Sequence, residues 1–220
     1  MASPEHSTLH VDDAGFSCAY TRLDNPAATI AIAHGAGAGM NHPFLTGFSD
    51  ALNDMGFAAL RFNFPYMEQG RRFPDRPPKA IAAWREVIRH AQERSDGEPV
   101  WACGKSFGGR MASMAVAEGM DAAGLVFLGY PLHPPGKPEK IRDEHLARVE
   151  APMLFLQGSN DPFAQKELLD AVVAKLGKRA TLQYLPDADH SFAVKGVKRS
   201  PEEIGASLAG AVASYISPGG

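Results

Sequence analysis

Short runs of β-branched and aromatic residues alternate with longer stretches of helical period along almost the whole 220-residue chain, and nothing else in it restricts the fold as strongly. Such alternation demands a mostly parallel sheet, because a strand returning parallel to its neighbour needs a crossover long enough to hold a helix. Eight runs qualify as strands: Thr8–Val11, Phe16–Tyr20, Thr29–Ala33, Ala58–Phe62, Val100–Cys103, Gly124–Leu128, Met153–Leu156 and Thr181–Leu185. The first two are joined through Asp12-Asp13-Ala14-Gly15, which predicts an opening hairpin with Gly15 supplying the turn. Between later runs, Phe44, Phe48, Leu52 and Met55 share one helical face. So do Ile81, Trp84, Ile88 and Ala91, then Leu168, Leu169, Val172, Val173 and Leu176, and finally Ile204, Leu208, Val212 and Ile216. Apolar stripes at this spacing are core, so they carry fold and not chemistry.

A chain of this length can bury its core in a single domain, expected over residues 8–217 with flexible tails at 1–7 and 218–220. Acidic residues number 25 against 22 basic ones, scattered rather than clustered, so no footprint for nucleic acid or anionic lipid stands out. Arg71, Arg72 and Arg76 are the exception; they read as a solvated loop, with a clamp for a substrate carboxylate as the alternative. Cys18 and Cys103 are too few for a disulfide framework or a metal site, and Cys103 reads as a buried strand residue. No signal-peptide pattern opens the chain and no segment is apolar enough to span a membrane. A cytoplasmic protein is expected, its oligomeric state left open.

Two proline-rich stretches, 73–78 and 130–138, follow candidate strands and are expected to be loops, because proline removes a backbone donor and resists helix. Loops beyond the carboxyl ends of parallel strands are where such sheets bind ligands.

Gly104-Lys105-Ser106-Phe107-Gly108-Gly109 lies between the run Val100–Cys103 and a helical stretch at Met111–Glu118. A serine on a sharp strand-to-helix turn needs small residues two positions to either side, because the turn crowds the backbone; Gly104 and Gly108 meet that need. The helix that starts there offers amides to a developing anion. A phosphate-binding loop ending in Gly104-Lys105-Ser106 is the rival, but its opening glycine would have to stand at Pro99.

A nucleophilic serine needs a base, which this topology places late, on the loop after the last strand. His190 stands there, in Pro186-Asp187-Ala188-Asp189-His190-Ser191-Phe192. The carboxylate that orients the imidazole belongs after the preceding strand, where Asp161 sits in Gln157-Gly158-Ser159-Asn160-Asp161-Pro162; Asp187 and Asp189 are the alternatives. The oxyanion donors would be the amide of Phe107 and one from His34-Gly35-Ala36-Gly37-Ala38-Gly39, with Ala36 the choice and Gly37 the near alternative. His34 ends its strand and would shape that loop. His34, Gly37, Tyr66, Leu132, His133 and Phe163, with Phe64 and Met67, are the candidate pocket walls.

In order and spacing these motifs resemble the α/β-hydrolase superfamily over nearly the whole chain. Gly104-Lys105-Ser106 with Gly108-Gly109-Arg110, the segment 129–138 and Asp161-Pro162-Phe163 are similar to a small group of dienelactone-hydrolase-like enzymes. Animal relatives of that group include a testis-expressed protein and a subunit of a histone-acetyltransferase complex. The resemblance implies an α/β-hydrolase fold with Ser106 as nucleophile, Asp161 as acid, His190 as base, and Ala36 and Phe107 as oxyanion donors. Many relatives insert a helical cap after the sixth strand, whereas about 24 residues separate Leu128 from Met153 here, so little or no cap and an open site are expected. The implied function is a serine hydrolase cleaving a small ester, thioester or lactone, needing no metal or organic cofactor. A partner-binding scaffold with weak or no turnover is the reading from another class.

Overall fold

Strands in the middle of a parallel sheet are covered on both faces, and the third to seventh runs are accordingly buried throughout, apart from the end of the fifth. In the computed structural model, which describes residues 3–217, eight strands form one sheet: β1 (Glu5–Val11), β2 (Ala14–Thr21), β3 (Thr29–Ala33), β4 (Ala58–Phe62), β5 (Val100–Lys105), β6 (Leu125–Leu128), β7 (Met153–Gly158) and β8 (Ala180–Leu185). Their order is β1-β2-β4-β3-β5-β6-β7-β8; β2 pairs antiparallel with β1 and β4, and every other pairing is parallel.

Alternation along the strands separates two apolar layers. Ile30, Ile32, Cys103, Val126, Leu154 and Leu156 face α1 (Pro43–Asp54) and α6 (Pro201–Ile216), whose Phe48, Leu52, Leu208 and Val212 close that side. Ala31, Ala33, Leu60, Phe127 and Phe155 face the other layer. There, α3 (Pro77–Arg94), α4 (Phe107–Ala117) and α5 (Lys166–Leu176) contribute Trp84, Val87, Met111, Ala115, Leu169 and Val172. A one-turn helix, α2 (Pro65–Glu68), follows β4. Between β6 and β7 there is only a three-residue turn of 3-10 helix, Leu146–Arg148, so no helical cap covers the sheet.

Four expectations need correction. The hairpin turn is Asp12-Asp13 alone, with Asp12 at φ 52, a conformation its short polar side chain tolerates; Gly15 already pairs with His10 inside the ladder. Residues 5–7 are no tail: Glu5, His6 and Ser7 pair with Tyr20, Ala19 and Cys18. Residues 3–4 precede β1 without regular structure, and residues 1–2 and 218–220 of the expected tails lie outside the described residues. The proline stretch 73–78 is not wholly loop, because Pro77 opens α3, where its missing N–H would have no helical partner anyway. Met55 is the C-cap of α1 and exposed, not part of its buried face.

Candidate active site

At the end of β5 the chain must turn into α4 within one residue. Ser106 makes that turn at φ 49 and ψ −113, a strained conformation for a residue with a Cβ. The turn closes only because its neighbours lack side chains: a Cβ on Gly108 would lie 2.6 Å from the His34 carbonyl oxygen and 2.7 Å from the Ala33 Cβ. One on Gly104 would run into the backbone of Gly108 and Gly109. Trp84 of α3 braces the turn from below, its indole N–H donating to the Gly108 carbonyl at 3.0 Å.

His190 arrives on the loop after β8. That loop can approach because Gly158, at the end of β7, has no side chain to strike the Ala188 and Asp189 carbonyls. His190 Nε2 lies 2.8 Å from Ser106 Oγ, and Nδ1 lies 2.6 Å from Asp161 Oδ2. A carboxylate only accepts, so Nδ1 carries the proton and Nε2 is free to accept from the serine. The Asp161 side chain is fully buried; Oδ1 accepts from the Phe163 amide at 2.8 Å and Oδ2 also from Gln157 Nε2 at 2.5 Å. Gln157 in turn accepts from the Tyr130 amide at 2.8 Å, which fixes its amide with the N–H₂ toward Asp161. The Phe163 ring packs on the imidazole with centroids 4.2 Å apart. Asp189 is committed elsewhere, accepting from the Ser191 and Ala193 amides, and Asp187 N donates to Ser159 Oγ; Asp161 is the carboxylate that meets His190.

Among the described residues neither the Phe107 nor the Ala36 amide has a protein acceptor. Gly37 N, the alternative donor, points at Tyr66 Oη 3.4 Å away. Ser106, His190 and Ala36 line one cavity of about 570 Å³. Its apolar walls are Phe44, Leu45 and Ile204 from α1 and α6, with Phe163 and Ala193 from the loops. Lys105 and Arg199 are its cationic wall residues.

Of the expected pocket walls, Phe163 lines this cavity; His34, Gly37, Tyr66, Leu132 and His133 do not, and neither do Phe64 and Met67. His34 is sealed inside, where Nε2 accepts from the Phe64 amide at 3.0 Å and Nδ1–H donates to the Gly35 carbonyl at 2.7 Å. Burial pushes its pKa down from 6.5 to about 4, so it stays neutral. His133 is a similar brace: Nε2 accepts from the Gln165 amide at 3.0 Å and its own amide donates to the Phe163 carbonyl at 2.9 Å, so the proline-rich loop locks the loop that carries Asp161. Tyr66 and Leu132 are fully buried beneath the site. Arg71 pairs with Asp75, and none of Arg71, Arg72 and Arg76 reaches the cavity. Cys103 is buried in β5, which pushes its thiol pKa up.

Sequence reading missed Gln157 and Lys105. The first could have been noticed as an amide closing the otherwise apolar strand Met153–Gly158; the second has no signal beyond its place beside Ser106. A second serine–histidine contact, Ser113 Oγ to His145 Nε2 at 2.7 Å, is buried where no substrate can reach it. Among the described residues no cluster of three or more His, Cys, Asp or Glu side chains is disposed to hold a metal ion, and no helix is long and apolar enough to cross a membrane.

Residues 26–217 match the family described as "Alpha/beta hydrolase domain". Among solved structures, the chain is similar to a lidless α/β serine hydrolase from Xanthomonas campestris, at 19% identity and a TM-score of 0.72 over 98% of this chain and 94% of that one. It is also similar to a dienelactone hydrolase from Anabaena variabilis, at 18% identity and a TM-score of 0.73 over 97% of each chain. A putative α/β-hydrolase of unknown function from Agrobacterium tumefaciens aligns at 19% identity and a TM-score of 0.75, over 96% of this chain and 94% of that one. At such identities the likeness is one of fold.

Proposed function

The chain belongs to the alpha/beta-hydrolase domain family, and on that basis we propose that it is a serine hydrolase, cleaving a small ester, thioester or lactone through a Ser106–His190–Asp161 triad and an acyl-enzyme. One observation carries the reading: the unbroken line of hydrogen bonds from Ser106 Oγ through His190 to the buried Asp161 carboxylate, at 2.8 and 2.6 Å. Serine is a poor nucleophile at its own pKa, and a base within this reach is what activates it.

His190 Nε2 takes the Ser106 proton as Oγ attacks the substrate carbonyl carbon, and Asp161 stabilises the imidazolium without itself being protonated. The carbonyl oxygen, now an anion, accepts from the Phe107 and Ala36 amides, a preorganised pair of donors of the kind worth about 3–4 kcal/mol each. Collapse of the adduct expels the alcohol or thiol, which receives its proton from His190. Water then attacks the acyl-enzyme with His190 again as base, and Ser106 is regenerated.

The cavity supports a modest substrate. Its volume of about 570 Å³ and the walls formed by Phe44, Leu45 and Ile204 suit a short acyl or alkyl group better than a long lipid. A cytoplasmic setting and kinship with the animal testis-expressed protein and histone-acetyltransferase-complex subunit belong to the same reading.

Labelling by a fluorophosphonate probe tests it. Wild type should be labelled, and Ser106→Ala and His190→Ala should lose the label while keeping the same melting profile. An unlabelled, folded wild type would overturn the reading and turn the search to binding partners.

A further inference from the structure

Lys105, the residue before Ser106, has no part in the steps above, yet its side chain touches three of the segments that build the site. Its stem runs past Gly35 of the oxyanion loop, where a Cβ would stand 3.5 Å from Lys105 Cγ. The ammonium passes Gly129 at the end of β6, where a Cβ would lie 3.3 Å from Nζ, and it sits 5.4 Å from the centroid of the Phe192 ring. It ends by donating to the backbone carbonyl of His190 at 2.6 Å, across 85 residues of sequence.

We propose that Lys105 is a positioning residue, an internal strut that holds the main chain of His190 at a set distance from Ser106 so that the imidazole keeps its reach to Oγ. The inference rests on Ser106 and His190 being nucleophile and base. The loop from Pro186 to Ser200 contains no helix or strand, only an isolated bridge between Ala188 and Val194. A loop of that kind needs an anchor at the residue that must not move. Lys105 grips the carbonyl of His190 itself, and because it shares a peptide bond with Ser106, the tether starts where the nucleophile starts. The donor is charged, so the bond is of the stronger, charge-assisted class.

The charged and titratable groups around the ammonium are Asp161 from the loop after β7, and Asp189 and His190 from the loop after β8; Arg199, before α6, is the other cation on the cavity wall. Burial lowers the Lys105 pKa from 10.5 to about 8, opposed by the two aspartates. The strut therefore carries its proton at neutral pH and gives it up just above.

The test compares wild type, Lys105→Met, Lys105→Cys, and Lys105→Cys alkylated with 2-bromoethylamine, which rebuilds an ammonium at nearly the original reach. Wild type treated in the same way is the control, since Cys18 and Cys103 are both buried. The readouts are the second-order rate of fluorophosphonate labelling, and kcat and KM on p-nitrophenyl acetate. Lys105→Met keeps an apolar stem but cannot donate. It should lower the labelling rate and kcat by about 10- to 100-fold, as small misplacements of catalytic groups do, with KM moving less than threefold. Alkylation of Lys105→Cys should restore most of the loss. The wild-type rate should also fall as pH rises through about 8, a limb that Lys105→Met lacks. Should Lys105→Met fail to fold, the cysteine pair decides alone. A folded Lys105→Met within twofold of wild type, or an alkylated variant as slow as its unmodified parent, overturns the strut. Failure of wild type to label overturns the hydrolase reading instead, so the two failures are distinct.

Discussion

The Phe64 amide donates to His34 Nε2 at 3.0 Å while the same imidazole donates to Gly35 O, so one buried ring ties the segment after β4 to the oxyanion loop after β3. Protonation would set an N–H of the ring against the Phe64 N–H, and burial already holds the pKa near 4. His145, buried against Ser113, is likewise held near 4 by burial and by the neighbouring Arg110 and Arg148. Both rings are ordinary histidines of pKa 6.5 when unfolded. Between pH 6.5 and 4 the unfolded chain therefore binds protons that the native state refuses. Stability should be flat with respect to these groups above pH 6.5 and fall through that window, by up to about 3 kcal/mol for each. Urea melts at half-unit steps from pH 7.5 to 4.5 measure it; an unchanged midpoint at pH 4.5 would contradict the account.

Ser106 stores backbone strain at φ 49 and ψ −113. Ser106→Gly should relieve it, whereas Ser106→Ala should not. The glycine variant is expected to be more stable than the alanine variant by about 1 kcal/mol, within the cost of such outliers, although both lose probe labelling. Guanidinium denaturation of the pair reads the difference, and equal midpoints would mean that the turn is unstrained.

Asp161→Asn should keep the fold and lower kcat by roughly 10⁴-fold, because the amide no longer favours the tautomer with the proton on Nδ1. A drop of less than tenfold in steady-state ester hydrolysis would remove Asp161 from the mechanism.

Gln157→Leu strips a donor from Asp161 Oδ2 and leaves the buried Tyr130 amide without its acceptor. The expected outcome is a loss of about 1–3 kcal/mol in stability together with a slower reaction. Gln157→Glu should be worse than Gln157→Leu for activity, since a second carboxylate would then face Asp161. Thermal melts and ester kinetics on both variants separate these effects, and a fully active Gln157→Glu would speak against the arrangement.

Gly108→Ala places a methyl group 2.6 Å from His34 O and 2.7 Å from Ala33 Cβ, so β3 or α4 must shift. A loss of about 3 kcal/mol or more in stability is expected, the scale of severe overpacking. Melting within two degrees of wild type would show that the elbow tolerates a side chain.

The strands were legible because most are buried on both faces, and burial on both faces leaves a run of apolar residues that needs no partner to be recognised; β3 and β4 begin and end where their runs do. Ser106, Asp161 and His190, which the fold brings into one hydrogen-bonded line, were singled out on other grounds: Ser106 by the glycines two positions to either side of it, Asp161 and His190 by chain order, each on the loop after a candidate strand. Pocket walls were not legible. Leu132 and His133 lie on an expected loop that folds inward and buries them, and Tyr66 is buried in α2, while the wall comes from Phe44, Leu45 and Ile204 on helices whose stripes signalled only core. Residue spacing also says nothing of Lys105, whose meaning lies in a carbonyl 85 positions away.

Where α1 and α6 cross beside the cavity they meet backbone to backbone: a Cβ on Gly205 would overlap the Phe44 carbonyl, and one on Gly47 the Glu202 carbonyl. Nothing in that contact involves the ends of the central strands. That crossing supports Leu45 and Ile204 of the cavity wall apart from the turns that carry Ser106 and Asp161, whereas Phe44 also stacks on Phe192 of the His190 loop, ring centroids 6.0 Å apart. Leu45 and Ile204 are therefore the positions at which to recut the cavity, because a new side chain at Phe44 would also press on the loop that carries His190.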